Sequence, residues 1–253
     1  MVTMAAVTDK AIVTAVERFF QRTEIHGNLE YLSRRLPGSA EIVVAGGAIR
    51  NVIIDALHGD APPTRDIDLF IGGLDPDVSL SDVLDDQLVE PTALKGLRWY
   101  PVSSGLAYDL CLLPDFVVID SYHLEPTMDN LLSGIDFTVN AILYDFQRKT
   151  LVEKGCTAAV RDRVIDFNSR LIPDKLLIAY RILLMSHKTG FNLSDRVFQF
   201  IKLRLELATV THLKKLFKAK VGRSMAISIM NDYNGLCKHS SYDAYLADRT
   251  PRF

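Results

Sequence analysis

The segment GGAIRNVIIDALHGDAPPTRDID at 46–68 constrains this chain more than any other. It opens on a glycine pair and closes on two aspartates, Asp66 and Asp68, with one residue between them. On a strand, residues i and i+2 share a face, so the two carboxylates point the same way. Side-by-side carboxylates repel and raise each other's cost of ionisation unless a cation lies between them. The spacing therefore predicts a magnesium site and, behind it, phosphate chemistry.

Charge elsewhere in the chain agrees with that expectation. The net charge of −2 hides an asymmetry: Asp55 to Glu90 holds ten acids against one base, Arg65, whereas Arg170 to Arg223 holds twelve Lys/Arg against three acids. An acidic, cation-binding half joined to a basic half suits a protein that holds a polyanion near a metal. At 253 residues with 48% hydrophobic content, the chain has length for two small domains. Its apolar runs fall short of the roughly 18 residues a spanning helix needs, so no membrane contact is expected. The N-terminus lacks a basic start followed by an apolar core, and no signal peptide is expected there. Cys111, Cys156 and Cys237 are too scattered for a disulfide framework or metal cluster, which points to a reducing cytoplasm. None of the six histidines forms a ligand pair of helical spacing.

Periodicity divides the chain. Ile12, Val13, Val16, Phe19 and Phe20 predict an amphipathic helix over 7–25, within an N-terminal helical segment 1–30. A buried strand at 41–47, a helix at 48–59 starting from the glycine pair, a Pro62–Pro63 loop and a strand at 66–73 follow. Further strands are expected at 106–114 and 116–120, the second either continuing the first or forming an edge. Helical spacing marks 129–141, and a hairpin turns around Gln147–Lys149. Beyond Pro173 only helices are expected, at 174–188, 193–207, 211–219 and 222–232. The fold class is thus a mixed-sheet α/β (α+β) head, 31–168, followed by an all-α domain, 169–253.

A strand leading through Gly46–Gly47 into a helix is an anion-binding arrangement, because glycine allows close backbone approach and the helix start offers free N–H groups. Arg50, one turn into that helix, is placed to reach a phosphate. Asp109 adds a third carboxylate on a third strand. Three carboxylates suit two magnesium ions acting on a phosphoryl centre, one activating a hydroxyl and both stabilising charge.

GGAIRN at 46–51, DID at 66–68 and DFTVNAILYD at 136–145, in that order, resemble the class II template-independent nucleotidyltransferases. These are the CCA-adding enzymes and bacterial poly(A) polymerases, built on a polymerase-β-like head followed by a helical neck and body. The resemblance runs from about 40 to about 190, where KTGF at 188–191 resembles the end of the first neck helix. It implies that Gly46, Gly47 and Arg50 hold the triphosphate of an NTP and that Asp66, Asp68 and Asp109 bind magnesium. It also implies that Asp136, Thr138, Asn140 and Arg181 line the nucleotide pocket. RNA, tRNA or another, is then the implied acceptor, with Lys202, Arg204, Lys214, Lys215 and Lys218 of the basic segment on its backbone.

The departures narrow the expectation. Where the family carries two arginines before its DFT motif, this chain has Gly134 and Ile135. Its neck helix, PDKLLIAYRILLMSHKTGF, offers only Asp174 and Arg181 where the family reads bases. Strict CCA addition is therefore not expected. Two other readings fit the same residues: transfer to a protein or small-molecule hydroxyl, and a head that binds nucleotide or RNA without catalysis.

Overall fold

The computed structural model describes residues 4–75, 77–171, 174–203, 205 and 207–248. In chain order the strands are β1 (Ala5–Ala6), β2 (Glu41–Ala45), β3 (Asp66–Gly72), β4 (Val89–Pro91), β5 (Leu97–Trp99), β6 (Ala107–Leu112), β7 (Ile142–Asp145), β8 (Thr150–Glu153), β9 (Val164–Ile165) and β10 (Asn192–Leu193). The helices are α1 (Lys10–Phe20), α2 (Thr23–Arg35), α3 (Gly47–His58), α4 (Leu80–Val83), α5 (Val117–Tyr122), α6 (Met128–Gly134), α7 (Cys156–Arg161), α8 (Lys175–Thr189), α9 (Asp195–Leu203), α10 (Leu207–Val221), α11 (Arg223–Lys238) and α12 (Tyr242–Asp248).

Eight strands form one mixed sheet in the order β1-β8-β7-β2-β3-β6-β5-β4. At its centre β3 runs antiparallel to β2 and parallel to β6. Alternation along β3 sends Ile67, Leu69 and Ile71 into the main core, where all three are fully buried. Helices α1 to α3 contribute to that core through Phe20, Leu29, Ile49 and Ile53, and Phe20 stacks on Tyr144 of β7 at 4.4 Å. The opposite face carries Asp66, Asp68 and Phe70. There Phe70 packs against a second, smaller cluster that includes Ile119, Leu131 and Leu132 of α5 and α6.

The chain then continues into helices α8 to α12, whose core residues Ile182, Phe198, Phe217 and Ile229 are continuous with the main core. The short parallel pair β9–β10 joins the two parts, with Val164 opposite Asn192.

Several expectations are corrected. The helix expected over 7–25 is two helices that break after Phe20, so a boundary at 30 falls inside α2. Residues 116–120, expected as a strand, wind into α5 after a 3-10 turn at Leu113–Asp115. Local β-propensity yields there to packing, with Val118 and Ile119 buried on the helix. The helix expected over 129–141 stops at Gly134, because Ile135 is extended, and resumes as a single 3-10 turn, Thr138–Asn140. Strands β4 and β5 and helix α12 were not expected, and β10 places a short strand in the segment beyond Pro173 where only helices were expected. Pro173 lies outside the described residues, and Asp174 caps α8 by accepting from the N–H groups of Leu176 and Leu177.

Candidate active site

Strand register assembles the site. Asp68 lies opposite Ala45 of β2 on one side and Asp109 of β6 on the other. Since Asp66 and Asp68 share a face and Asp109 stands beside Asp68, all three carboxylates occupy one open face of the sheet.

Directly beyond Ala45 the chain turns at Gly46, with φ +71° and ψ −119°, a region closed to residues with a Cβ. This turn brings the start of α3 against the acids: a Cβ at Gly46 would lie 3.8 Å from Asp68 Oδ2. The first-turn N–H groups of α3 and its positive dipole end therefore sit beside the carboxylates, where an anion bridged to them by a cation is favoured.

Asp68 has no hydrogen bond or ion pair among the described residues. Burial first, and the charges of Asp66 and Asp109 next, push its carboxyl up to about 7 from 3.8, against the pull of Arg181 and Arg50. That is the electrostatic signature of a site short of positive charge.

Asp109 differs. Its Oδ1 accepts from Arg98 Nε at 2.6 Å and its Oδ2 from Arg98 Nη2 at 2.6 Å, a bidentate pair. Arg98 lies directly opposite Asp109 in the β5–β6 register, and its Nη2 is also 4.0 Å from Asp66 Oδ2. The hydrogen bonds to Asp109 hold the Arg98 guanidinium above its ordinary pKa.

Arg50, Asn140, Asp136 and Arg181, expected to face a nucleotide, form a chain of polar contacts. Arg50 donates through Nη1 to Asn140 Oδ1 at 2.6 Å, and through Nε and Nη2 to Asn51 Oδ1 at 3.1 and 2.9 Å. Asn140 Nδ2 in turn donates to Asp136 Oδ1 at 3.3 Å. Asp136 Oδ2 accepts from Arg181 Nε of α8. Burial lowers the Arg50 guanidinium, while the Asp136 carboxylate raises that of Arg181. The network ties the start of α3 to the first long helix after the head, and it leaves Arg181 half exposed toward the carboxylates.

Thr138 stands apart from this network. Its backbone N–H and hydroxyl donate to the Asp166 carbonyl, at 2.9 and 3.3 Å. Of the basic candidates, Lys214, Lys215 and Lys218 are exposed on α10. Lys202 instead donates to the carbonyls of His239 and Ser240, just past the end of α11. Arg204 lies outside the described residues.

Sequence reasoning missed Arg98, Asn51 and Lys188. Lys188 is seven residues after Arg181, two helical turns, and so shares its face. Burial lowers its ammonium, and the neighbouring charges of Arg65, Asp66 and Arg50 also act on it. The signal for Arg98 was a lone cation alternating with Leu97 and Trp99, in a stretch to which no element was assigned.

Gly134 and Ile135 also find a physical reason. A Cβ at Gly134 would lie 2.7 Å from Phe116 Cε1 and 3.1 Å from Val118 Cβ, and Ile135 is buried in the smaller cluster. Helix α5 closes over the place where arginine side chains would stand.

The donor set fits a hard divalent cation at two of its three carboxylates. Asp68 offers a carboxylate unpaired among the described residues and Asp66 one met only by Arg98 at 4.0 Å, whereas both oxygens of Asp109 are engaged by Arg98. Accordingly, no group of three ligating side chains is gathered tightly enough among the described residues to hold a metal ion.

The mixed sheet, glycine turn and following helices share the fold of solved CCA-adding enzymes and of a tRNA nucleotidyltransferase. A CCA-adding enzyme in complex with ATP superposes with a TM-score of 0.60 at 14% identity, over 93% of this chain and 55% of its own. The Thermotoga maritima CCA-adding enzyme complexed with tRNA gives 0.60 at 16% identity, over 92% and 55%. A tRNA nucleotidyltransferase with a primer tRNA and an incoming ATP analogue gives 0.56 at 17% identity, over 81% and 59%. The chain thus spans little more than half the length of the structures it matches. No family model and no curated protein matches the sequence. No helix among the described residues is long and apolar enough to cross a membrane.

Proposed function

We propose that this chain is a magnesium-dependent nucleotidyltransferase that moves an NMP from an NTP to an RNA 3′-hydroxyl and releases pyrophosphate. The observation that carries the reading is the placement of Asp66, Asp68 and Asp109 on one sheet face beside the Gly46 turn and the start of α3. Structural neighbours solved in complex with ATP, CTP and tRNA support it.

Asp66 and Asp68 hold magnesium, which supplies charge stabilisation at the transferring phosphorus when bound. Gly46, Gly47 and Arg50 receive the triphosphate. Asp136, Asn140 and Arg181 form the wall of the nucleotide pocket, with Thr138 fixing the turn that presents Asn140. The exposed lysines of α10, Lys214, Lys215 and Lys218, contact the acceptor backbone. Full CCA addition is not proposed, because α8 presents Arg181 as its one base-reading candidate among leucines and isoleucines.

The test incubates the protein with each labelled NTP, magnesium and total RNA, and compares Asp66→Ala/Asp68→Ala. Labelled RNA from the wild type alone supports the reading. Product that persists in the double variant removes the metal assignment. Label on a protein band moves the acceptor to a protein hydroxyl, and no product with any NTP leaves a nucleotide- or RNA-binding head.

A further inference from the structure

The cross-strand pair Arg98–Asp109 has a geometry that bears on cation binding. Both oxygens of Asp109 are taken by one guanidinium, each at 2.6 Å. The same Nη2 that holds Asp109 Oδ2 lies 4.0 Å from Asp66 Oδ2, so the cationic group sits between two of the three carboxylates. The pair is set by register, since Arg98 and Asp109 face each other across antiparallel strands. Neither partner is deeply buried, with side-chain exposures of 39% and 25%. A pair this accessible to water exchanges partners readily. Asp68, by contrast, has no fixed cationic partner among the described residues.

We propose that Arg98 is a positioning residue that competes with a divalent cation for Asp109. The site takes its cation through Asp66 and Asp68, and Asp109 joins as a ligand only when the guanidinium releases it. The inference rests on the magnesium site proposed above and assigns that site an internal rival. The guanidinium carries one charge and two aligned donors, and a divalent cation carries two charges and needs the same oxygens. Occupation of Asp109 by one weakens its hold on the other. No bond other than these ionic contacts forms or breaks.

Binding of Mn²⁺ to the whole chain, followed by calorimetry and by loss of the free-ion paramagnetic signal, tests this without any turnover. Arg98→Gln is expected to bind Mn²⁺ about tenfold more tightly than the wild type, or to gain a second ion. The double variant Arg98→Gln/Asp109→Asn is expected to lose that gain. Arg98→Lys, which keeps a charge but not the two-pronged contact, is expected to fall between the two and guards against a folding defect in the glutamine variant. Unchanged or weaker Mn²⁺ binding in Arg98→Gln and Arg98→Lys, both with wild-type thermal unfolding, overturns the inference. Failure of the parent reading looks different: the wild type then binds no more Mn²⁺ than Asp66→Ala/Asp68→Ala, with or without an NTP.

Discussion

Asp68 shows how a single side chain is shaped by its neighbours. Its folded carboxyl titrates at about 7, above the unfolded value of 3.8, so between those two pH values the folded state holds the extra proton. Stability of the metal-free protein therefore falls as pH rises from about 4 to 7 and levels off above. Part of the site is open to water, so the effect is on the order of 1–2 kcal/mol after screening. Asp68→Asn is expected to remove this slope and to raise the metal-free melting temperature at pH 8 by roughly 3–6 °C, while abolishing nucleotidyl transfer. Thermal melts from pH 4 to 8, with and without magnesium, check both statements; a flat metal-free profile for the wild type counts against the assignment. At the same scale, Arg181→Met removes the cationic partner of Asp136, whose side chain is only 10% exposed. Removing one partner of such a pair is expected to cost about 3 kcal/mol in urea unfolding, in addition to any effect on NTP affinity.

At the scale of elements, the β2–Gly46–α3 turn and helix α5 carry the most consequence. Gly46→Ala forces a Cβ into a glycine-only conformation and is expected to cost about 1–3 kcal/mol and weaken triphosphate binding. Gly134→Ala drives a methyl into Phe116 and Val118, and a loss of about 1–3 kcal/mol is expected from overpacking. Chemical denaturation measures both. If Gly134→Ala is neutral, α5 is looser over α6 than its contacts indicate. The elements also show what could be read from residues alone. Strands β2 and β3 and helix α3 were legible because period-2 alternation, a glycine pair and Gly59 mark them without ambiguity. Helix α2 was legible only in part: the helical segment expected over 1–30 reached Ile25 and Leu29 but stopped short of Leu32. Three-residue strands such as β4 and β5 carry too little pattern to be seen, and with β5 went Arg98. The FVVID run failed for another reason: β-branched residues favour a strand locally, and only the sheet face that α5 covers decides for a helix.

For the whole molecule, the proposed function assigns chemistry and acceptor recognition to different parts of the fold. The carboxylates and the glycine turn belong to the sheet, whereas the exposed lysines belong to α10, and Arg181 of α8 links the two through Asp136. Replacing Lys214, Lys215 and Lys218 together by glutamine is expected to reduce the dependence of log affinity for RNA on log salt by about 2–3 units. NTP affinity should stay at the wild-type level. Titrations of RNA at several salt concentrations measure that slope, and an unchanged slope places the acceptor on another surface. The segregation of charge into acidic and basic halves was legible in composition. The tethering of Lys202 to the end of α11 was not, because it depends on how two distant helices meet.

The register of β3 has one more consequence. Ile67, Leu69 and Ile71 are fully buried on the face opposite Asp66 and Asp68. A slip of one residue against β2 and β6 would turn both acids into the core and expose the three aliphatic side chains. A miswired but compact chain is thus excluded on energetic grounds, and folding itself acts as quality control for the reactive face. Specific activity of a preparation should then track its folded fraction one to one, with no dormant, well-folded population to reactivate.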